Sequence, residues 1–144
     1  MQIRQMRIDD LDQVLEIEST LYKTPWNKKH YLYELNENEF SHHFVLTNGN
    51  EIIGYYVFML LFSEVNLTKL SIKKECQGRG LAKLLLSDLL EQAKSLEADK
   101  IYLEVRESNF KAISLYKSFD FVKTNTRKNY YEDGEDALIL ERVI

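Results

Sequence analysis

Cysteine, proline and glycine are all scarce in this chain. Among 144 residues there is one cysteine, Cys76, so an internal disulfide is excluded and a reducing compartment is indicated. Proline occurs once and glycine five times, which excludes collagen-like chains and disordered chains rich in these residues. With 44% hydrophobic residues, the chain can build a core, and its length fits one domain spanning residues 1–144.

Long apolar runs and an excess of positive charge are also missing. The longest apolar run covers the eight residues 55–62, whereas a membrane-spanning helix needs about 20. The first residues, MQIRQMRIDD, lack the apolar stretch of a signal peptide, so we expect a cytoplasmic protein without membrane contact. The 19 basic and 23 acidic residues give a net charge of −4, which argues against direct nucleic-acid binding because that requires a basic surface.

Strand and helix patterns alternate along the whole chain. Alternating apolar residues predict strands, and apolar residues at helical spacing predict helices, with Glu18 as a solvent-facing break in the first helix. A tight turn at 48–50 predicts an antiparallel hairpin, and the helix after strand 64–72 predicts a parallel crossover. The predicted strands are 3–8, 44–46, 52–62, 64–72, 101–105, 119–124 and 137–143, and the predicted helices are 11–21, 27–35, 81–96 and 109–118.

The segment Gln77-Gly78-Arg79-Gly80-Leu81-Ala82 lies between a predicted strand and a predicted helix. The first amides of a helix have no internal partners and carry partial positive charge, and glycines let a phosphate approach the backbone. The loop is therefore a candidate anion cradle. It lacks the pattern of a Walker loop and the early position of a dinucleotide fingerprint. Glycines that only allow tight packing at a helix start would explain the loop equally well.

The pattern Q-x-x-G-x-A in this loop, after Leu70-Ser71-Ile72 and before a leucine-rich helix, resembles the acyl-coenzyme A loop of the GNAT acetyltransferase superfamily. Further segments resemble the bacterial ribosomal-protein alanine N-acetyltransferases (RimI type): Pro25-Trp26, LEVRESN at 103–109, AISLY at 112–116, RKNYY at 127–131 and EDA at 135–137. The resemblance implies an α/β GNAT fold with a mixed, mostly antiparallel central sheet, splayed in the middle, and helices on both faces.

Two positions depart from the family pattern. Asp120 stands where the family usually has glycine, and Ala82 stands where many members have glycine. Aspartate is strained at a positive φ, although it tolerates that conformation better than most residues. We therefore expect the fold to survive the aspartate.

The resemblance implies acetyl transfer from acetyl-CoA to the N-terminal α-amine of a protein, in the first place the N-terminal alanine of a small-subunit ribosomal protein. It assigns Glu104 as the base and Tyr116 as the acid. An α-amine has a pKa of about 7.7–8.0, so it needs only modest help to lose its proton. Without the resemblance, Glu104 would be interpreted as a strand carboxylate paired with Arg106 or Lys100. Tyr116 would be interpreted as a core tyrosine with a solvated hydroxyl.

The resemblance also assigns residues that contact the substrates. For the peptide these are Trp26 and Tyr131, with core packing and a turn position as the alternatives. Glu64 is a second candidate base or a turn carboxylate. No metal site is expected, since the adjacent His42 and His43 point to opposite faces of a strand. The acetyl-CoA contacts are Leu70, Ser71, Ile72, Gly78, Arg79, Gly80, Leu81, Ala82, Lys83 and Asn109, the last of which is alternatively a helix cap.

Two other functions stay open at this point. One is a GNAT enzyme for a small amine, such as a polyamine, an amino acid or an aminoglycoside, which a closed acidic pocket would favour. The other is a CoA-binding partner module without turnover. The acidic segment 132–136 is either a solvated turn or an attractant for a basic peptide. The sequence leaves the oligomeric state open between a monomer and a weak dimer.

Overall fold

A central β-sheet organises the protein, which a computed structural model describes over all residues, Met1–Ile144. The chain forms β1 (Gln2–Gln5), α1 (Leu11–Leu21), α2 (Lys28–Asn36), β2 (Ser41–Asn48), β3 (Glu51–Leu61), β4 (Glu64–Ile72), α3 (Leu81–Ser95), β5 (Lys100–Arg106), α4 (Phe110–Ser118), β6 (Val122–Arg127) and β7 (Ala137–Val143), with short 3-10 turns at Ile8–Asp10 and Lys74–Cys76. The seven strands lie in the order β1-β2-β3-β4-β5-β7-β6. The longest helix, α3, has 15 residues, and none of the helices meets the length and hydropathy needed to span a bilayer.

Asparagine side chains fix where α2 and α4 begin. Asn27 Oδ1 accepts a hydrogen bond from the His30 backbone N–H at 2.8 Å. Asn109 Oδ1 accepts one from the Ala112 N–H at 3.2 Å. Both bonds satisfy amides that have no partner inside their own helix. The cap predicted at Asn27 is confirmed, and Asn109 has the capping role that its sequence position allowed.

Strands β4 and β5 are the only parallel pair in the sheet, and they separate early. They pair over residues 64–66 and 100–102 and make no further ladder contacts. The other neighbouring strands are antiparallel. Beyond the paired residues, backbone groups of β4 and β5 face an opening instead of each other. The predicted parallel crossover and the predicted splay in the middle of the sheet are both confirmed.

Helices cover both faces of the sheet and bury two separate cores. On one face, α3 and α4 pack over a cluster of 21 buried residues that includes Leu85 and Leu89. On the other face, α1 and α2 pack over a cluster of 9 buried residues that includes Val14 and Tyr31. Each fully buried leucine stabilises the fold by roughly 1.5–3 kcal/mol relative to an exposed one. The mixed α/β architecture with helices on both faces agrees with the expected fold.

Three predicted strands have clearly different ends in the structure. β2 covers Ser41–Asn48 instead of residues 44–46, because it pairs with β1 and β3 along its length. β1 ends at Gln5 instead of residue 8, because Asp10 accepts the Arg7 backbone N–H at 2.7 Å and turns the chain. β6 begins at Val122 instead of residue 119. The reason is that the amides of residues 119 and 121 donate to the Tyr116 carbonyl and close the end of α4.

Asp120 adopts a φ of 66°, in the left-handed region. Because that conformation costs a residue with a Cβ roughly 1–2 kcal/mol, and aspartate somewhat less, we expect Asp120→Gly to raise the free energy of unfolding by about 0.5 kcal/mol. Urea unfolding would measure the change. Lys117→Gly, within α4, is the control and should lower the free energy of unfolding by about 1 kcal/mol. A loss of stability in Asp120→Gly would show that the aspartate is not strained.

Candidate active site

A first cavity, of about 580 Å³, lies between the end of β4, the start of α3 and one face of α4. We call it the loop cleft, because the glycine loop forms one of its walls. Its lining residues are Leu70, Ile72, Cys76, Gln77, Gly78, Gly80, Leu81, Ala82, Lys83, Asn109, Lys111, Ala112, Ser114, Leu115, Tyr116 and Ser118.

The glycine loop leaves the start of α3 free to bind an anion. Gly78 and Gly80 have φ values of 80° and 76°, which glycine adopts without strain. No side chain caps the first amides of α3, so these groups and the helix dipole are available to a ligand. Lys83 and Lys111 on the cleft wall add positive charge. This donor set fits a phosphate-bearing ligand such as acetyl-CoA.

Eight of the ten residues predicted to contact acetyl-CoA line the loop cleft, whereas Ser71 and Arg79 do not. Ser71 Oγ lies 2.7 Å from the Tyr22 hydroxyl oxygen, a hydrogen bond across the opposite face of β4. The Arg79 guanidinium donates to the Glu75 carbonyl at 3.4 Å, outside the cleft lining. Ser71 therefore offers only its backbone to a ligand in the cleft, whereas the exposed Arg79 side chain lies beside the glycine loop.

A second cavity, of about 570 Å³, lies where β4 and β5 separate. We call it the sheet cavity. Two chain segments close it from outside, one between α1 and α2 and the other between β6 and β7. The lining residues are Leu21, Tyr22, Lys23, Thr24, Leu67, Thr68, Lys69, Leu70, Leu103, Glu104, Val105, Arg106, Asn109, Ala112, Tyr116 and Tyr131.

The two cavities meet at shared wall residues, namely Leu70, Asn109, Ala112 and Tyr116. Tyr116 is 8% exposed, and its burial raises the pKa of its hydroxyl. The hydroxyl consequently stays protonated at neutral pH and can donate a proton or a hydrogen bond at the junction. A group held in the loop cleft and a group held in the sheet cavity would face each other beside it.

Glu104 lines the sheet cavity with a side chain that is 19% exposed. Its Oε1 lies 3.9 Å from Nη2 of Arg127. The partners considered from sequence are engaged elsewhere, since Arg106 pairs with two carboxylates of the β6–β7 turn and Lys100 pairs with Glu64 and a carboxylate of β7. Glu64, the alternative base, is at the paired end of β4 and does not line the cavity.

The two aromatic residues predicted to contact a peptide lie in different places. Tyr131 lines the sheet cavity, where the Arg106 guanidinium carbon is 4.0 Å from its ring centroid. Burial raises the pKa of Tyr131 to about 12. Trp26 is not among the lining residues; its ring stacks on His30 at 3.9 Å and lies 4.5 Å from Lys69 Nζ. Trp26 thus packs behind the cavity wall.

Three of the four carboxylates in the acidic segment 132–136 form ion pairs within the protein. Asp133 and Glu135 bind Arg106 at 2.8 and 2.9 Å, and Asp136 binds Lys128 at 3.2 Å. These contacts organise the turn, while the exposed Glu132 makes no ion pair, so the segment keeps some free negative charge.

The sequence patterns do not point to Tyr22 or Lys69 of the sheet cavity or to Lys111 of the loop cleft, and they indicate Arg106 only as a partner of Glu104. The expectation that Glu18 faces solvent is wrong: its side chain is fully buried against Lys69. A signal for Lys69 is present, because the apolar positions of β4 change from odd numbers (65 and 67) to even numbers (70 and 72). Such a change of parity marks a β-bulge and reassigns the faces of the strand.

Comparisons with known proteins agree with this geometry. The sequence profile of the Acetyltransferase (GNAT) family matches residues 11–121. A candidate ribosomal protein bS18-alanine N-acetyltransferase of Bacillus subtilis is 38% identical over 139 residues, covering 96% of this chain and 92% of the relative. An N-alpha-acetyltransferase of Saccharolobus solfataricus is 31% identical over 154 residues, covering 97% and 91% of the two chains.

Solved structures show the same fold. The crystal structure of the ribosomal-protein-S18-alanine N-acetyltransferase from Escherichia coli superposes with a TM-score of 0.90 at 29% identity, covering 99% of this chain and 93% of that one. The chain belongs to the GNAT acetyltransferase family and is an acetyl-CoA-dependent N-acetyltransferase.

Proposed function

We propose that this enzyme acetylates the N-terminal α-amine of a protein, namely the N-terminal alanine of a small-subunit ribosomal protein such as bS18. The Bacillus subtilis and Escherichia coli relatives carry names with this substrate. The observation that carries the proposal is the junction of the two cavities at Tyr116, with Glu104 on the wall of the sheet cavity.

In this proposal acetyl-CoA occupies the loop cleft. Its phosphates bind the amides of residues 78–82, with Lys83 adding charge, and its pantetheine arm runs past Asn109 along the free edge of β4. Backbone groups of residues 70–72 form hydrogen bonds with the pantetheine arm and the thioester oxygen. A backbone N–H aimed at a developing oxyanion stabilises the transition state strongly. The open edge of β4 beyond its pairing with β5 supports this role.

The acceptor amine enters from the sheet cavity. The α-ammonium gives its proton to Glu104 through a water molecule, and the neutral nitrogen attacks the thioester carbon. The new N–C bond forms as the C–S bond breaks, and the Tyr116 hydroxyl donates its proton to the departing thiolate. The nitrogen releases its second proton as the amide forms, and this proton returns to Tyr116 and restores the hydroxyl. Glu104 and Tyr116 both line the sheet cavity, and burial keeps the Tyr116 hydroxyl protonated, which supports this division of labour.

The charges of the sheet cavity favour a peptide over a polyamine. Its lining contains one carboxylate, Glu104, and three cationic side chains, Lys23, Lys69 and Arg106, each of which pairs with a carboxylate outside the lining. A pocket for a polycation would require an excess of carboxylates. Tyr131 and Tyr22 supply aromatic rings to the wall of the cavity.

Substrate selection is the direct test of this function. Intact-mass detection would follow acetyl transfer to a peptide with a free N-terminal alanine, to the same peptide blocked at its N-terminus but bearing lysines, and to small amines. We expect acetylation of the free-alanine peptide alone, because near pH 7.4 roughly a quarter of an α-amine is neutral, against about a thousandth of a lysine amine. Acetylation of small amines only would refute the proposal.

A further inference from the structure

We infer that Lys69 is a positioning residue for the acceptor: paired with Glu18, its ammonium holds Tyr22 and Trp26 and so fixes segment 22–26, which walls the sheet cavity. Residues 22–24 of this segment line the cavity. The inference rests on the proposed function for the identity of the sheet cavity as the acceptor site.

A β-bulge in β4 turns Lys69 toward this segment. Val57 of β3 pairs with Lys69 and Phe58 pairs with Leu67, so Thr68 is the extra residue. The Thr68 hydroxyl donates to the Val57 carbonyl at 2.9 Å, which satisfies the bulge locally. An extra residue reverses the alternation of side chains. Lys69 therefore faces α1, whereas Leu67 stays in the core under α3.

Glu18 of α1 anchors the Lys69 ammonium. Its Oε2 accepts a hydrogen bond from Lys69 Nζ at 2.5 Å and one from the Trp26 backbone N–H at 3.0 Å. Its Oε1 accepts the hydroxyls of Tyr31 and Tyr55. Glu18 is 0% exposed and Lys69 is 7% exposed. Four donors from three elements and the segment thus fix one orientation of the carboxylate, and with it the position of the ammonium.

The ammonium then holds both ends of the segment. Lys69 Nζ lies 4.0 Å from the centroid of the Tyr22 ring and 4.5 Å from that of the Trp26 ring, both within the range of a cation–π interaction. Residues 23–25 lie outside helices and strands. Besides the two ring contacts, the segment is held by hydrogen bonds from the Tyr22 N–H to the Glu18 carbonyl, from the Trp26 N–H to the Glu18 carboxylate and between Tyr22 and Ser71. The stacking of Trp26 on His30 adds a further contact at its end.

Stability alone does not account for this ion pair. Removing two charges from water costs about as much as their attraction returns, and a buried pair can often be replaced by apolar residues without loss. An apolar side chain, however, would not direct the Glu18 oxygens and the two rings to fixed places. The ammonium supplies that geometry, and it does so on the wall of the cavity that the acceptor enters.

Two variants and one control test the inference. Lys69→Met removes the ammonium at nearly constant length. The double variant Glu18→Gln with Lys69→Met also removes the carboxylate charge, so that no unpaired charge stays buried if the single variant folds poorly. Lys100→Met is the control, because it breaks exposed ion pairs with Glu141 and Glu64 on the same sheet.

Steady-state kinetics would measure the KM for the peptide and the KM for acetyl-CoA separately. For both Lys69 variants we expect the KM for an N-terminal alanine peptide to rise about tenfold, since small displacements of positioning groups have effects of this order or larger. The KM for acetyl-CoA should stay within about twofold of wild type, because the loop cleft does not include the segment. Lys100→Met should match wild type for both substrates.

Trp26 offers a spectroscopic readout that needs no turnover, because it is the only tryptophan of the chain. Loss of the nearby ammonium should change the emission of Trp26 and increase its quenching by acrylamide in both Lys69 variants. The emission and the quenching should be unchanged in Lys100→Met.

An unchanged peptide KM with unchanged Trp26 quenching would overturn the inference. Equal rises of both KM values would also overturn it, because they would indicate a general fold defect. Failure of the wild type to acetylate the peptide would refute the proposed function instead, while the quenching would still test the contact.

Discussion

Replacing Glu104 with glutamine is expected to lower kcat for peptide acetylation by about 100- to 1000-fold at pH 7, the usual contribution of a positioned base. Glutamine keeps the shape and the half-buried setting of the side chain on the cavity wall, but it cannot accept a proton from the α-ammonium. The KM for acetyl-CoA should change little, because Glu104 does not line the loop cleft.

The pH dependence gives this prediction a second readout. An α-amine with a pKa of about 7.7–8.0 loses its proton to solvent as the pH rises. The ratio of the wild-type kcat to the kcat of Glu104→Gln should therefore fall between pH 7 and pH 9 and stay large below pH 7. Initial rates of CoA release across this range would measure it.

Two further variants complete this experiment. Glu91→Gln, at an exposed position of α3, is the control and should keep wild-type activity. Glu64→Gln tests the alternative base directly. A large loss there, with activity preserved in Glu104→Gln, would move the base to the start of β4.

Replacing Tyr116 with phenylalanine is expected to lower kcat by about 10- to 100-fold. The ring would still pack beside Phe121, 5.7 Å away between centroids, so the fold should be kept while the proton donor at the cavity junction is lost. The departing thiolate resembles a cysteine thiolate with a pKa of about 8.5, which a tyrosine hydroxyl can protonate or stabilise by a hydrogen bond.

The pH profile also distinguishes Tyr116 from Glu104. Because burial raises the pKa of Tyr116 above its usual value of about 10, the hydroxyl keeps its proton as the pH rises toward 9. The ratio of the wild-type kcat to the kcat of Tyr116→Phe should then be constant from pH 6 to pH 9, unlike the ratio for Glu104→Gln. Tyr33→Phe, at an exposed position of α2, is the control. More than half of wild-type kcat in Tyr116→Phe would contradict the acid role.

Local patterns predicted much of the fold. The bounds of β4 and β7 and the start of α3 agree with the sequence prediction, because polar turn residues mark the ends of the two apolar strand segments and helical spacing begins at Leu81. The cap at Asn27 follows from local hydrogen bonding. Strand bounds, helix starts and caps depend on residues that are close in sequence, so local patterns can predict them.

The sheet cavity depends instead on contacts between distant residues. Glu18 reads as a polar break in an apolar stripe, yet it is buried because Lys69, 51 positions away, lies opposite it. The Arg127 neighbour of Glu104 depends on the register of β6, which a bulge near residues 123–125 shifts. Neither contact follows from spacing or composition.

Family resemblance carried over Glu104, Tyr116 and Tyr131, which line this cavity, and Trp26, which does not. The resemblance reaches such positions because it contains tertiary information that a local pattern lacks.

The junction of the two cavities also has a consequence for how this enzyme can diversify. The loop cleft is built from β4, α3 and α4, whereas the outer wall of the sheet cavity comes from two short segments, between α1 and α2 and between β6 and β7. Changes in those two segments can alter which acceptor is recognised while the machinery for the acetyl donor stays intact. Donor use and acceptor choice can thus evolve separately within a single chain, with the four shared wall residues as the part that has to serve both.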